Sequence, residues 1–128
     1  IVAVGQFDED AEIVTDATGR IVMPGVVDPH THYDAQLLWD PGATPSANHG
    51  VTTVIAGNCG FTLAPLRPDP AEADYLQRMM SRVEGMPLPA LQQVDWTWET
   101  FEEYLALLEG KIAVNAGFED AVVVDKVR

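Results

Sequence analysis

The run Val51-Thr-Thr-Val-Ile-Ala56 constrains the fold of this chain most strongly, because it is rich in β-branched residues and apolar on both faces. Burial on both faces is typical of a strand inside a parallel sheet, not of an exposed antiparallel strand. A second buried strand is predicted over residues 26–32, about eighteen residues upstream, and a crossover between parallel strands needs roughly a dozen or more. We therefore expect the two strands to pair in parallel.

Two amphipathic helices and a third strand are predicted downstream of this pair. A helix over residues 71–83 and another over residues 100–109 each carry an apolar stripe at i, i+3, i+4, i+7 spacing. The stripes consist of Leu76, Met79, Met80 and Val83 in the first helix and of Phe101, Tyr104, Leu105 and Leu108 in the second. Thr100 and Glu103 match a capping box, and a strand is predicted over residues 112–115. This alternation indicates an α/β fold, either part of a barrel or a doubly wound sheet.

The two ends of the chain are predicted to differ from this central part. Strand-like patterns separated by turns occur at residues 1–5, 11–15 and 21–23. We therefore expect residues 1–23 to be β-rich and residues 24–117 to hold the first β/α units. The tail, residues 118–128, contains an apolar run over residues 121–124, which we interpret either as a strand returning to the β-rich segment or as a truncated or displaced stretch.

The charge of the chain excludes some classes of partner, and its cysteine count excludes an internal disulfide. The chain has 20 acidic and 7 basic residues, a formal net charge of −13, and the basic residues are scattered, whereas phosphate backbones are bound by clustered Lys and Arg. We expect no nucleic-acid partner and no membrane partner, since no apolar run approaches the roughly 18 residues of a membrane span and no signal peptide is visible. Cys59 is the single cysteine, which excludes an internal disulfide and favours a reducing, cytoplasmic location.

A histidine pair follows the first of the two parallel strands. His30 and His32 are two residues apart, and because side chains alternate along a strand, both imidazoles should project to one side together with Asp28. Two neutral imidazoles a few ångströms apart are a natural pair of ligands for a divalent transition metal. The alternative is a pair of surface histidines in a loop.

Three segments in this order carry a resemblance to a known family. The segment Pro24-Gly-Val-Val-Asp-Pro-His-Thr-His32 resembles the first-strand signature of the amidohydrolase superfamily. Its continuation to Pro41, then His49-Gly-Val-Thr-Thr-Val54 and Gly57-Asn-Cys-Gly60, resemble the D-aminoacylase branch, the N-acyl-D-amino-acid deacylases.

The resemblance implies both an architecture and a metal site. It implies the first strands of a (β/α)8 TIM-type barrel over residues 24–117, preceded by part of a small β-sandwich domain over residues 1–23. It implies Zn²⁺, in one or two sites of the intact enzyme, with His30 and His32 as ligands and Cys59 as a thiolate ligand where other members use a carboxylated lysine. Two further histidines and a general-base aspartate are expected outside this chain, because the only other histidine is His49.

Cys59 has two other interpretations, and the residues beside the motifs have secondary ones. A lone cysteine is commonly a buried, inert thiol, and it could also be a nucleophile paired with His49 or His30, although no oxyanion-stabilising or orienting partner stands out. His49 itself is expected to pack or cap within the crossover. Four polar residues are expected to orient the ligands or to line a substrate pocket: Asp28, Tyr33, Asp34 and Asn58.

The implied reaction is hydrolysis of the amide C–N bond of an N-acyl-D-amino acid, with a metal-activated water as the nucleophile. A cyclic amidase of the hydantoinase or dihydroorotase kind is the first alternative, and Cys59 in place of a bridging lysine disfavours it. The second alternative is a non-catalytic chain with a vestigial metal site, forming a homo-oligomer that covers the open sheet edges.

Overall fold

The structure, a computed structural model, describes residues 2–7 and 10–119 as a small α/β unit built on a three-stranded parallel sheet. The strands are β1 (Val26–Asp28), β2 (Val51–Ala56) and β3 (Asn115–Phe118), in the order β1-β2-β3. Val27 pairs with Thr53 across the first interface, and the second aligns β2 and β3 along the whole of β3. The predicted parallel pairing of the first two strands is confirmed, and the central position of β2 explains its two-sided apolar pattern.

Three α-helices follow β2 and precede β3 along the chain. They are α1 (Pro70–Val83), α2 (Leu88–Leu91) and α3 (Phe101–Leu108). The first begins where the Asp69 carboxylate accepts the N–H of Ala71, and the third begins with the predicted capping box of Thr100 and Glu103. Both predicted helices are therefore confirmed. Helix α2 was not predicted; Pro89 lies in its first turn, where a proline is tolerated.

The hydrophobic core is built from side chains of the helices, of the sheet and of the loops between them. Its largest fully buried apolar side chains are Trp98, Tyr104, Leu37, Leu63, Met80, Leu91 and Val54. The indole of Trp98 donates to the carbonyl of Leu63 at 2.8 Å, so its polar atom is satisfied inside the core. Each predicted stripe contributes to this core through some members only, since Val83 and Leu105 are exposed near the ends of their helices.

Two of the predicted strands differ from those observed. The strand expected over residues 26–32 ends at Asp28, and Val26 and Val27 are exposed instead of buried, because only one strand pairs with β1 in the described part of the chain. The third strand starts at Asn115, three residues later than expected, because residues 112–114 form the bend that leads into the sheet. A sequence pattern shows where apolar residues follow one another. It does not show which of them form hydrogen bonds to a neighbouring strand, and these bonds set the ends of a strand.

The strands predicted at residues 1–5, 11–15 and 21–23 are not formed in the described residues of that region. Their apolar side chains are exposed, among them Val4, Ile13 and Val22. An extended segment becomes a strand only when a neighbouring strand accepts and donates its backbone hydrogen bonds, and none is adjacent to this segment among the described residues. The run over residues 121–124, interpreted above as a returning strand or a displaced stretch, lies outside the described residues.

No helix in the described part of the chain has the length and apolar character that crossing a membrane requires.

Candidate metal centre

The candidate site lies where β1 and β2 end. Because the two strands are parallel, their carboxyl ends meet at one edge of the sheet, and His30 and Cys59 follow these ends by two and three residues, respectively. At the opposite end of the two strands, the backbone of Gly25 lies against the side chain of Thr52. A Cβ on Gly25 would lie 2.0 Å from Oγ1 of Thr52, so only glycine allows this close approach. The sheet thus brings two loops that are far apart in sequence to the same place.

Thr31 fixes the histidine segment to the sheet beyond the end of β1. Its side chain is buried, its backbone N–H donates to the carbonyl of Ile55 at 2.9 Å, and its hydroxyl donates to the same carbonyl at 2.8 Å. The carboxylate of Asp28 accepts the N–H of His30 at 3.2 Å and closes the turn between strand and pair. Thr31 is thus bound to the sheet, and the histidines on either side of it lie near each other, with ring centroids 5.4 Å apart.

The loop that carries Cys59 is a short 3₁₀ turn, Asn58–Gly60, preceded by Gly57, and three of these residues have positive φ: Gly57, Cys59 and Gly60. Gly57 has φ 83°, and a Cβ there would lie 2.6 Å from the carbonyl oxygen of Glu119, so glycine is required on two grounds. Cys59 itself has φ 61°, a conformation uncommon for a residue with a side chain. Asn58 is buried, and its amide donates to the carbonyls of Thr31 and Ile55 at 3.2 and 3.0 Å. These contacts hold the cysteine loop against the histidine loop.

One donor atom from each of His30, His32 and Cys59 lies within 4.8 Å of the others, and no second group of this kind occurs in residues 2–7 and 10–119. Sγ of Cys59 lies 3.6 Å from Nε2 of His30. In a tetrahedral site with zinc bonds of about 2.3 Å to sulfur and about 2.0–2.1 Å to nitrogen, two such ligands are roughly 3.6 Å apart. The sequence-predicted ligands are thus brought together at a spacing that suits one cation.

The two ring nitrogens of His32 have different surroundings. Nε2 lies 3.6 Å from Oε2 of Glu84, whose side chain is 13% exposed. Nδ1 is buried and has no hydrogen-bond partner among the described residues. A neutral imidazole carries one N–H and one lone pair, and a buried polar atom without a partner costs about 1–3 kcal/mol. A metal bound through Nδ1 would satisfy this unpartnered atom, so the burial of the donors as well as their spacing fits a metal.

A buried carboxylate, that of Asp34, links the two loops behind the cluster. Its side chain accepts the backbone N–H of Gly57 at 3.1 Å, and its carbonyl accepts the phenol of Tyr104 at 2.8 Å. Burial raises the pKa of Asp34 to about 6, the Gly57 N–H and the charge of His32 lower it, and the charge of Glu84 raises it. Burial and the charge of Asp34 likewise raise the pKa of Tyr104.

The other predicted residues lie beside the cluster without entering it. The hydroxyl of Tyr33 is hydrogen-bonded to Oγ of Ser46 at 2.6 Å, which ties it to the crossover. His49 is exposed at the end of the 3₁₀ turn Ser46–His49, and the imidazole that Cys59 approaches is that of His30.

Sequence reasoning missed Thr31 and Glu84. The alternation rule that placed both histidines on one side also places Thr31 on the other, so its anchoring role could have been found. No comparable signal exists for Glu84, which is 52 positions after His32 and reaches it only through the path of α1.

Comparison with known proteins shows the family of this chain. The amidohydrolase family matches residues 14–125, and the chain belongs to that family, in the branch that contains the D-aminoacylases and N-acyl-D-amino-acid deacylases.

Three of the proteins it resembles give the extent of the likeness. An uncharacterised protein of Mycobacterium tuberculosis (strain ATCC 25618 / H37Rv) is 43% identical over 113 residues, 84% of this chain and 18% of that protein. The D-aminoacylase of Alcaligenes xylosoxydans xylosoxydans is 39% identical over 120 residues, 91% of this chain and 22% of the enzyme. A solved D-aminoacylase structure, from work on the role of its binuclear metal centre, has 36% identity and a TM-score of 0.51 over 74% of this chain and 18% of that one. The chain therefore spans about one-fifth of the length of these relatives.

Proposed function

We propose that the natural full-length protein is a zinc-dependent amidohydrolase that cleaves the amide C–N bond of N-acyl-D-amino acids. The observation that carries the proposal is the convergence of His30, His32 and Cys59 where two parallel strands end. The likeness to D-aminoacylase over 91% of this chain supports the substrate class. Because the chain spans 22% of that enzyme, it supplies one part of the catalytic site.

The architecture is proposed on the same grounds. Residues 24–117 are the first units of a (β/α)8 barrel, an assignment supported by a parallel sheet whose strands carry the site at their carboxyl ends. Residues 1–23, with their exposed apolar side chains, belong to a small β-sandwich whose other strands would pair with them.

Zinc is favoured by the chemistry of the donors. Imidazole nitrogen and thiolate sulfur together suit a borderline-soft cation, whereas magnesium and calcium prefer oxygen ligands. When bound, zinc polarises a carbonyl and lowers the pKa of its water from about 15.7 toward about 7. His30 and His32 would contribute neutral donors and Cys59 one negative charge.

The supporting residues have distinct tasks in this proposal. Asp28 and Thr31 hold the backbone of the histidine segment, and Asn58 holds the cysteine loop against it. Asp34 keeps the two loops at a fixed separation from inside the protein. Tyr33 acts as a brace to the crossover through Ser46.

Activity of the natural full-length protein tests the proposal. Release of free amino acid should be measured for matched N-acyl-D- and N-acyl-L-amino acids, before and after chelation and after zinc is restored. We expect release from the D series, loss on chelation, and loss in Cys59→Ala, while His49→Ala, which alters a histidine outside the cluster, keeps its activity. No release across the D series, or a fully active Cys59→Ala protein, would contradict the proposal.

A further inference from the structure

We propose that Glu84 is a positioning residue of this metal centre, acting through the imidazole of His32. The proposal rests on the proposed metal-binding role of His32 and adds to it a residue from a different part of the fold. The Glu84 side chain is 13% exposed, and its Oε2 lies 3.6 Å from Nε2 of His32.

The position of Glu84 in α1 is unusual for an acidic residue. Glu84 is the C-cap of this helix, and its backbone N–H donates to the carbonyl of Met80 at 3.0 Å. The C-terminus of a helix carries partial negative charge, so a carboxylate there is repelled where a cationic side chain would be stabilised. An acid held largely out of water at this end needs a compensating positive group nearby.

The described part of the chain offers few groups for that compensation. The ion pairs found there are Arg67 with Glu72, Arg78 with Asp74, and His32 with Glu84. The partner of Glu84 is thus an imidazole, which is neutral in the form that binds a metal. A cation held by the imidazole would supply the missing positive charge.

The two nitrogens of His32 define how Glu84 would act. A carboxylate next to Nε2 favours the tautomer with the proton on Nε2, which leaves the lone pair on the buried, unpartnered Nδ1. Metal-binding histidines commonly present their other nitrogen to a carboxylate, which fixes the ring and raises its basicity.

Glu84 does not belong to the set of donors itself. The side chains whose donor atoms all lie within 4.8 Å of one another are His30, His32 and Cys59. Two ligands on opposite sides of one zinc ion with bonds of about 2.0–2.3 Å are separated by no more than roughly 4.6 Å. The geometry therefore supports an indirect role through His32 over direct binding to the same ion.

The test compares Glu84 with an acidic residue at the equivalent position of another helix. Glu109 is the C-cap of α3, its N–H donates to the carbonyl of Leu105, and it is exposed. In the natural full-length protein we would measure zinc affinity by competition with a chromophoric chelator, and the visible absorption of the cobalt(II)-substituted protein, for Glu84→Ala, Glu84→Gln and Glu109→Ala.

We expect Glu84→Ala to bind zinc about 10–100-fold more weakly and to alter the cobalt spectrum. Glu84→Gln keeps an oxygen that can accept from Nε2, so it should recover part of the affinity, and Glu109→Ala should match the unaltered protein in both measurements. If Glu84→Ala does not yield folded protein, Glu84→Gln decides the question through the same two readouts. Affinities within twofold of the unaltered protein and an unchanged cobalt spectrum would overturn the proposal.

Two further variants separate this inference from the proposed function. His32→Ala and Cys59→Ala should lose metal whether or not Glu84 has a positioning role. If they do and the Glu84 variants do not, only the role of Glu84 is wrong. If neither loses metal, the metal centre itself is wrong.

Discussion

Gly57 shows how a single residue controls the cysteine loop. Its φ of 83° is accessible to other residues only with strain, and a Cβ would lie 2.6 Å from the Glu119 carbonyl oxygen and 2.9 Å from the Glu119 nitrogen. These atoms belong to the backbone at the end of β3 and cannot rotate away. Gly57 thus combines a conformational and a steric requirement next to the candidate ligand.

Gly57→Ala is expected to destabilise the protein more than Gly110→Ala does. Gly110 has φ 69°, and a Cβ there has no atom within 4 Å, so alanine should lose only the cost of the left-handed conformation, about 1–2 kcal/mol. Gly57→Ala adds the clash with Glu119 and displaces Cys59. Denaturant unfolding of both variants compares the losses, and equal losses would show that the close approach to Glu119 is not rigid.

At the residue scale, the sequence predicted which side chains come together at the candidate site, but not which groups surround them. His30, His32 and Cys59 were proposed as ligands through a spacing rule and a resemblance, and their donor atoms do lie together. The proximity of Glu84 to His32 could not be predicted, because the distance between these two residues depends on the direction in which α1 runs.

The elements differ in how far local sequence determines them. Strand β2 and helices α1 and α3 were predicted within one or two residues, because each has a clear local pattern: two apolar faces for the strand, an apolar stripe for α1, and a capping box with a stripe for α3. Strands β1 and β3 were misplaced because their limits depend on where β2 offers hydrogen-bond partners, and an apolar run does not record this.

The capping box of α3 provides a prediction at the scale of the element. Thr100→Ala should lower the free energy of unfolding by about 1 kcal/mol, since the Thr100 hydroxyl accepts the N–H of Glu103 at 3.2 Å. Thermal or denaturant unfolding would measure the loss, with Thr97→Ala, outside the helix, as the control. A loss no greater than that of the control would mean that packing alone maintains the start of α3.

The acidic half of the same box makes a prediction about pH. The N–H groups of Thr100 and Glu99 hold the pKa of Glu103 below its usual range, so its stabilising contribution is present above the unfolded-state value of about 4.3 and is lost as the pH falls below it. Glu103→Gln should therefore be less stable than the unaltered protein at neutral pH, and the difference should shrink under acid conditions. A difference independent of pH would contradict this.

At the scale of the whole molecule, one arrangement accounts for the site. A parallel sheet brings the ends of β1 and β2 to one edge, the buried Asp34 links the loops from inside, and the end of α1 brings the carboxylate of Glu84 next to His32. The chain covers 18–22% of the length of the relatives described above.

The most direct test of this account is the metal environment, measured by X-ray absorption at the zinc edge. In the zinc-loaded full-length protein we predict a sulfur neighbour at about 2.3 Å in addition to nitrogen or oxygen neighbours at about 2.0–2.1 Å. Cys59→Ala should remove the sulfur shell, while His49→Ala should leave it unchanged. A zinc environment without sulfur in the unaltered protein, or a sulfur shell that persists in Cys59→Ala, would contradict the assignment of Cys59 to the metal centre.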